Sequence, residues 1–93
     1  MKENLNELYG EAYPGMTVGD AKRMDNLNSK NHYGINDIQL TRLINKHKKA
    51  RAENDQRTMS MIEYRLTDIN FHHECGLLYR GEYEEALKEV KEW

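Results

Sequence analysis

From Met59 onward, Met59, Ile62, Leu66 and Ile69 recur at alternating steps of three and four, and His73 and Gly76 continue the stripe. That period predicts one buried face on a helix running from Asp55 to about Arg80. A second row, Tyr64, Asp68, Phe71, Cys75 and Leu78, lies about 100° round the same helix. The helix therefore has more apolar surface than one neighbour covers, and it is expected to be central and packed on two sides.

Upstream, Leu40, Leu43, Ile44, His47 and Ala50 share one face of a helix predicted over Asp37 to Ala52, with Asn36 as its N-cap. Glu53-Asn54-Asp55 reads as a helix-to-helix turn, Asn54 taking a left-handed cap and Asp55 starting the next helix. An unbroken helix from Asp37 to Arg80 would be roughly 60 Å long, so a hairpin suits a compact domain better. In that hairpin His47 is expected opposite Met61 or Ile62 and away from His73. Gly76 inside the central helix suggests close packing or a bend, and Gly81 a C-terminal cap.

Nearer the start, Leu5, Leu8 and Tyr9 support a turn or two of helix over Glu3 to Tyr9, ended by Gly10, before the breaker Tyr13-Pro14-Gly15. Thr17 with Asp20 resembles a capping box, and a short helix is predicted from Val18 to about Leu27. Its inward residues should be Val18, Ala21, Met24 and Leu27 or their neighbours, with Lys22, Arg23 and Asp25 in water. Asn26 to Gly34 is rich in turn-forming residues and reads as a polar loop.

A last helix is predicted over Glu82 to Trp93, with Tyr83, Ala86, Leu87, Val90 and Trp93 inward and an acidic outer surface. Its opening residues, Gly81 to Leu87, resemble the start of the second helix of a tetratricopeptide repeat. No second copy follows at a period of about 34 residues. The resemblance implies a helical hairpin and not a repeat array.

These elements predict an all-α fold, a small domain of three to four helices over residues 1–93 built on an antiparallel helical hairpin, with residues 1–16 loosely ordered. Hydrophobic residues make up 38% of the 93 and charged residues 32%, so the core will be thin and part of the apolar surface is expected to be covered in a homodimer formed through the central helix. A lone Cys75 excludes an internal disulfide and fits a reducing compartment. The first ten residues do not read as a signal peptide, and no apolar run reaches the roughly 20 residues that span a bilayer. A soluble, cytoplasmic protein without a membrane partner is expected.

The net charge of −2 decides nothing about partners, so local clusters must. Arg42, Lys46 and Lys49 fall at i, i+4 and i+7 opposite the inner face, flanked by Lys48 and Arg51 and followed by Arg57. This basic ridge is the candidate partner-binding surface. In the polar loop, Asn28, Lys30, Asn31, His32 and Tyr33 offer adaptable hydrogen bonds and a rigid aromatic, the chemistry of a recognition loop. Tyr64 and His73 are candidates to line a ligand pocket. Asp68, His72 and Cys75 share a face at i, i+4 and i+7, a weak metal-ligand pattern against a small buried cysteine beside a local pair. Neither a metal nor another cofactor is expected, and no catalytic residues can be placed.

The sequence is accordingly read as a non-enzymatic interaction or regulatory protein that binds a protein or ribonucleoprotein partner. In character it looks like the accessory inhibitors of phages and mobile elements. The alternatives are an oligomeric binder of a nucleotide-like ligand and a nucleic-acid-binding module using the basic helix 42–57.

Overall fold

The computed structural model describes residues 4–72. They form three helices, α1 (Val18–Lys30), α2 (Asp37–Ala52) and α3 (Gln56–His72), joined by short connections in an all-α arrangement. α1 and α2 pack on α3 and not on each other, so α3 is central and packed on two sides as its two rows of side chains predict. The expected continuation of the central helix to Arg80, with Gly76 and Gly81, and the last helix over Glu82 to Trp93 lie outside the described residues.

α1 begins where Thr17 leaves the extended conformation. The Thr17 hydroxyl accepts from the Asp20 backbone N–H at 3.2 Å, and the Asp20 carboxylate accepts from the Thr17 N–H at 3.1 Å. This is a capping box built with the shorter acid.

The helix expected over Glu3 to Tyr9 is absent from the described part of that segment, which instead runs antiparallel to the start of α1, with Leu8 bridged to Thr17. The reason lies in the unsatisfied donors of a helix start. Val18 N–H donates to the Glu7 carbonyl at 2.8 Å and Gly19 N–H to the Leu5 carbonyl at 2.9 Å. A helix over this segment would pair the Leu5 carbonyl with the Tyr9 N–H, which here donates to the Met16 carbonyl at 2.8 Å instead. The reversal between the two segments uses Gly15 at φ +79, where an added Cβ would also lie 3.2 Å from the Arg57 backbone nitrogen.

α1 is one turn longer than its apolar period suggests. It continues through Asn28 to Lys30 and closes with the Asn31 side-chain amide donating to the Leu27 carbonyl at 2.8 Å. The polar loop is thereby reduced to the residues after Lys30, with His32 and Tyr33 both left-handed at φ 52 and 58.

α2 starts at Asn36 with a second capping box, completed by Gln39. At its other end Asn54 is left-handed at φ 57, and Asp55 accepts from the Thr58 N–H at 3.1 Å and from the Thr58 hydroxyl at 2.6 Å. Those two bonds, from the hydroxyl first, hold the Asp55 carboxyl below its usual range. The chain thus turns back as a hairpin.

The two sides of α3 differ in chemistry. Toward α2, Ile62, Leu66 and Ile69 meet Leu40 and Ile35, with Leu43 and Ile44 packed against them. Toward α1 the buried residues include Asp20, Asn28 and Ser60, and Ser60 donates to the Pro14 carbonyl at 2.7 Å. Of the four inward positions expected on α1, only Ala21 is buried, while Leu27 is exposed. Asp20 and Asn28, polar residues with partners on α3, share the inward places with Ala21.

Candidate functional site

The outward face of α2 carries the basic ridge. Arg42, Lys46, Lys48, Lys49 and Arg51 are all exposed, and the sequence from Ile38 to Ala52 contains five Lys or Arg and no Asp or Glu. From Arg42 to Lys49 the ridge extends about 10 Å along the axis. Lys49 comes within 3.9 Å of Glu53, but both side chains are well exposed, so the pair neutralises little. The inner face of the same helix holds the ridge in place through Leu40, Ala50 and His47. His47 is buried, with Nε2 3.4 Å from a Glu63 carboxylate oxygen, close to the expected level of Met61 and Ile62.

Arg57 does not continue the ridge. Its guanidinium donates from Nε and Nη2 to the two oxygens of Asp20, both at 2.6 Å, and fastens the start of α3 to the start of α1. Asp20 is fully buried and also receives Arg23. No local sequence pattern announces this pairing, because its partners are 37 residues apart.

The loop candidates separate into two groups. Asn28 is a buried bridge: its amide donates to the Arg65 carbonyl at 3.2 Å and to Asp68 at 3.0 Å, and its carbonyl oxygen accepts from Arg65 Nε at 3.1 Å. It belongs to α1 and joins it to α3. Lys30 and His32 are exposed, whereas Asn31 and Tyr33 are half-buried.

Tyr64 sits in a trio of rings. Its centroid is 5.3 Å from those of Tyr9 and Tyr13, each contact edge-to-face, and its hydroxyl donates to Asp25 at 2.9 Å. Burial, and then the bond to Asp25, push the Tyr64 pKa upward. Folded protein therefore holds this proton more tightly than unfolded protein does. The stabilisation is complete below the unfolded value near 10 and is lost as pH rises toward the folded value. In urea melts, the stability advantage of the wild type over Tyr64→Phe should be constant to about pH 10 and shrink above it. A difference that stays flat to higher pH would contradict the contact.

Of the metal pattern, Asp68 holds Asn28, and Cys75 lies outside the described residues, as does His73 of the pocket pair. Among the described residues no group of three His, Cys, Asp or Glu is placed to hold a metal ion, and no helix is long and apolar enough to cross a membrane.

The periodicity gave no sign of one surface feature. A groove of about 330 Å³ opens between α1 and α3, lined by Met24, Leu27 and Met61 with Arg23, Asn26 and Lys30. Comparison with protein-family models, with curated proteins and with solved structures finds no match for this chain.

Proposed function

We propose that the protein is a non-enzymatic helical interaction protein whose α2 ridge engages an anionic surface of a protein or ribonucleoprotein. An accessory inhibitor would act in this way, by covering such a surface. The observation that carries the reading is the exposed, acid-free row Arg42, Lys46, Lys48, Lys49 and Arg51 on a helix whose opposite face is fixed to the core. Cations held on a rigid element present a constant spacing to a partner, and such complementarity raises association rates and selects among partners.

The test is the triple reversal Arg42→Glu, Lys46→Glu and Lys49→Glu. All three side chains are exposed, so helicity by circular dichroism should be unchanged. Partner capture from a lysate should be lost in the reversed protein and in wild type at high salt. Capture that survives reversal would remove the ridge from the reading. A partner that proves to be bare RNA or DNA should show log K falling with log salt at a slope of about −0.7 to −0.9 per phosphate neutralised.

A further inference from the structure

α1 departs from a simple amphipathic helix. It buries Asp20 and Asn28, and it leaves Leu27 40% exposed beside the half-buried Met24. Neither side chain belongs to the buried apolar cluster between α2 and α3, and together with Met61 of α3 they give the groove an apolar lining. Methionine adapts its shape to what it meets, which suits a surface that receives another molecule's side chains.

The polar margin of the groove is cationic. Lys30 and Arg23 belong to it, and no lining residue is acidic. Asp20 already accepts two bonds from Arg57, so Arg23 brings a second cation to a single carboxylate. Those three groups together carry one net positive charge, and Lys30 is exposed beside them. Arg23, Leu27 and Lys30 fall at i, i+4 and i+7, a span of about 10 Å, which two turns of a docked helix would match.

We infer that this α1–α3 groove docks an acidic amphipathic helix of a partner protein. The partner places apolar side chains on Met24, Leu27 and Met61 and carboxylates against Arg23 and Lys30. Recognition of this kind reads anchors at i, i+3, i+4 and i+7. The groove is lined on α1 by residues that run over about two turns of that helix, a length that suits a docked helix. It lies on a different helix from the α2 ridge, so the inference does not depend on the ridge reading.

The experiment is fluorescence anisotropy on the full chain with a labelled probe peptide of about 16 residues, roughly 24 Å as a helix. The probe carries Leu at the i, i+3, i+4 and i+7 places and Glu and Ala elsewhere. Saturable binding is expected. Leu27→Asp and Lys30→Glu should each weaken it by about tenfold or more, corresponding to about 1.4 kcal/mol. Arg23→Gln should weaken it less, and the ridge reversal should leave it within about threefold. Leu27 and Lys30 are exposed, so both variants should fold, as circular dichroism can verify.

Absence of saturable binding overturns the inference, as does equal affinity for a probe with Lys in place of Glu. Binding lost on ridge reversal and kept in Leu27→Asp assigns the peptide to α2 and overturns it too. Trp93 is the chain's one tryptophan. A shift of its emission on Leu27→Asp would make the occupant the chain's own residues and overturn the partner assignment.

Discussion

Asp20→Ala is expected to lower folding stability by about 3 kcal/mol, a large part of the 5–15 kcal/mol available to a domain. Asp20 is fully buried and does two things at once. It supplies the N3 half of the capping box that starts α1, accepting from the Thr17 N–H. The Thr17 half survives the substitution, so this share of the loss is below the ~1 kcal/mol of a full N-cap. Asp20 also accepts the bidentate Arg57 contact that fixes the first turn of α3 beside it. Charge-assisted hydrogen bonds contribute about 1.5–3 kcal/mol each, though not additively. Arg57 is 54% exposed and can turn to water when its partner goes, which keeps the cost below that of stranding a fully buried cation.

Urea midpoints with an unchanged slope would measure the loss. Asp20→Asn retains an oxygen for the cap and should fall between wild type and alanine. Arg57→Ala should cost less than Asp20→Ala, because Arg23 still faces the carboxylate. In the double variant the two losses should not add. A single-mutant effect within about 0.5 kcal/mol for Asp20→Ala would mean that α1 is not anchored through this residue.

The same residue shows which parts of this fold could be read from sequence. The α2–α3 hairpin is written in local terms. Asn36 caps one helix, Asn54 accepts a left-handed backbone, Asp55 starts the next helix, and the apolar periods on both helices point at each other. Each of those signals acts within a few residues of itself. α1 is different, because two of its three buried residues, Asp20 and Asn28, are polar. Asp20 and Asn28 go inward only because Arg57, Arg65 and Asp68 wait 37–40 residues later in the chain, and no period encodes such a match. Of the apolar period Val18, Ala21, Met24 and Leu27, only Ala21 is therefore buried, and the neighbouring Asp20 and Asn28 fill the other inward places.

Leu5, Leu8 and Tyr9 failed for a related reason. Seven residues support a helix or an extended segment about equally, and the choice was made by the orphan donors of Val18 and Gly19. The candidate surfaces divide along the same line. The α2 ridge is legible because exposure of a charged stripe opposite an apolar one is a local consequence. The pairing of Arg57 with Asp20 and the α1–α3 groove are not legible in the same way, because both depend on how α1 and α3 meet.

The second large effect is expected from Leu66→Ala, about 3–4 kcal/mol, within the range of fully buried leucines. Leu66 stands one turn from Ile62 and Ile69 in the buried cluster that also holds Ile35 and Leu40. The surroundings cannot close on the space left behind, because α3 is gripped from both sides: α2 by this cluster, and α1 by the Asn28 and Asp20 bonds. A cavity that cannot collapse carries the full loss of contacts as well as the transfer term. Leu27→Ala removes the same atoms from an exposed place in the groove and should cost no more than about 0.5 kcal/mol.

The contrast between these two leucines, measured by urea denaturation, separates apolar surface that holds the fold from apolar surface left over for another purpose. Equal losses would show that Leu27 belongs to the core and would close the groove as a candidate surface. A loss under about 1 kcal/mol at Leu66 would mean that α3 is not the element on which the other two helices depend.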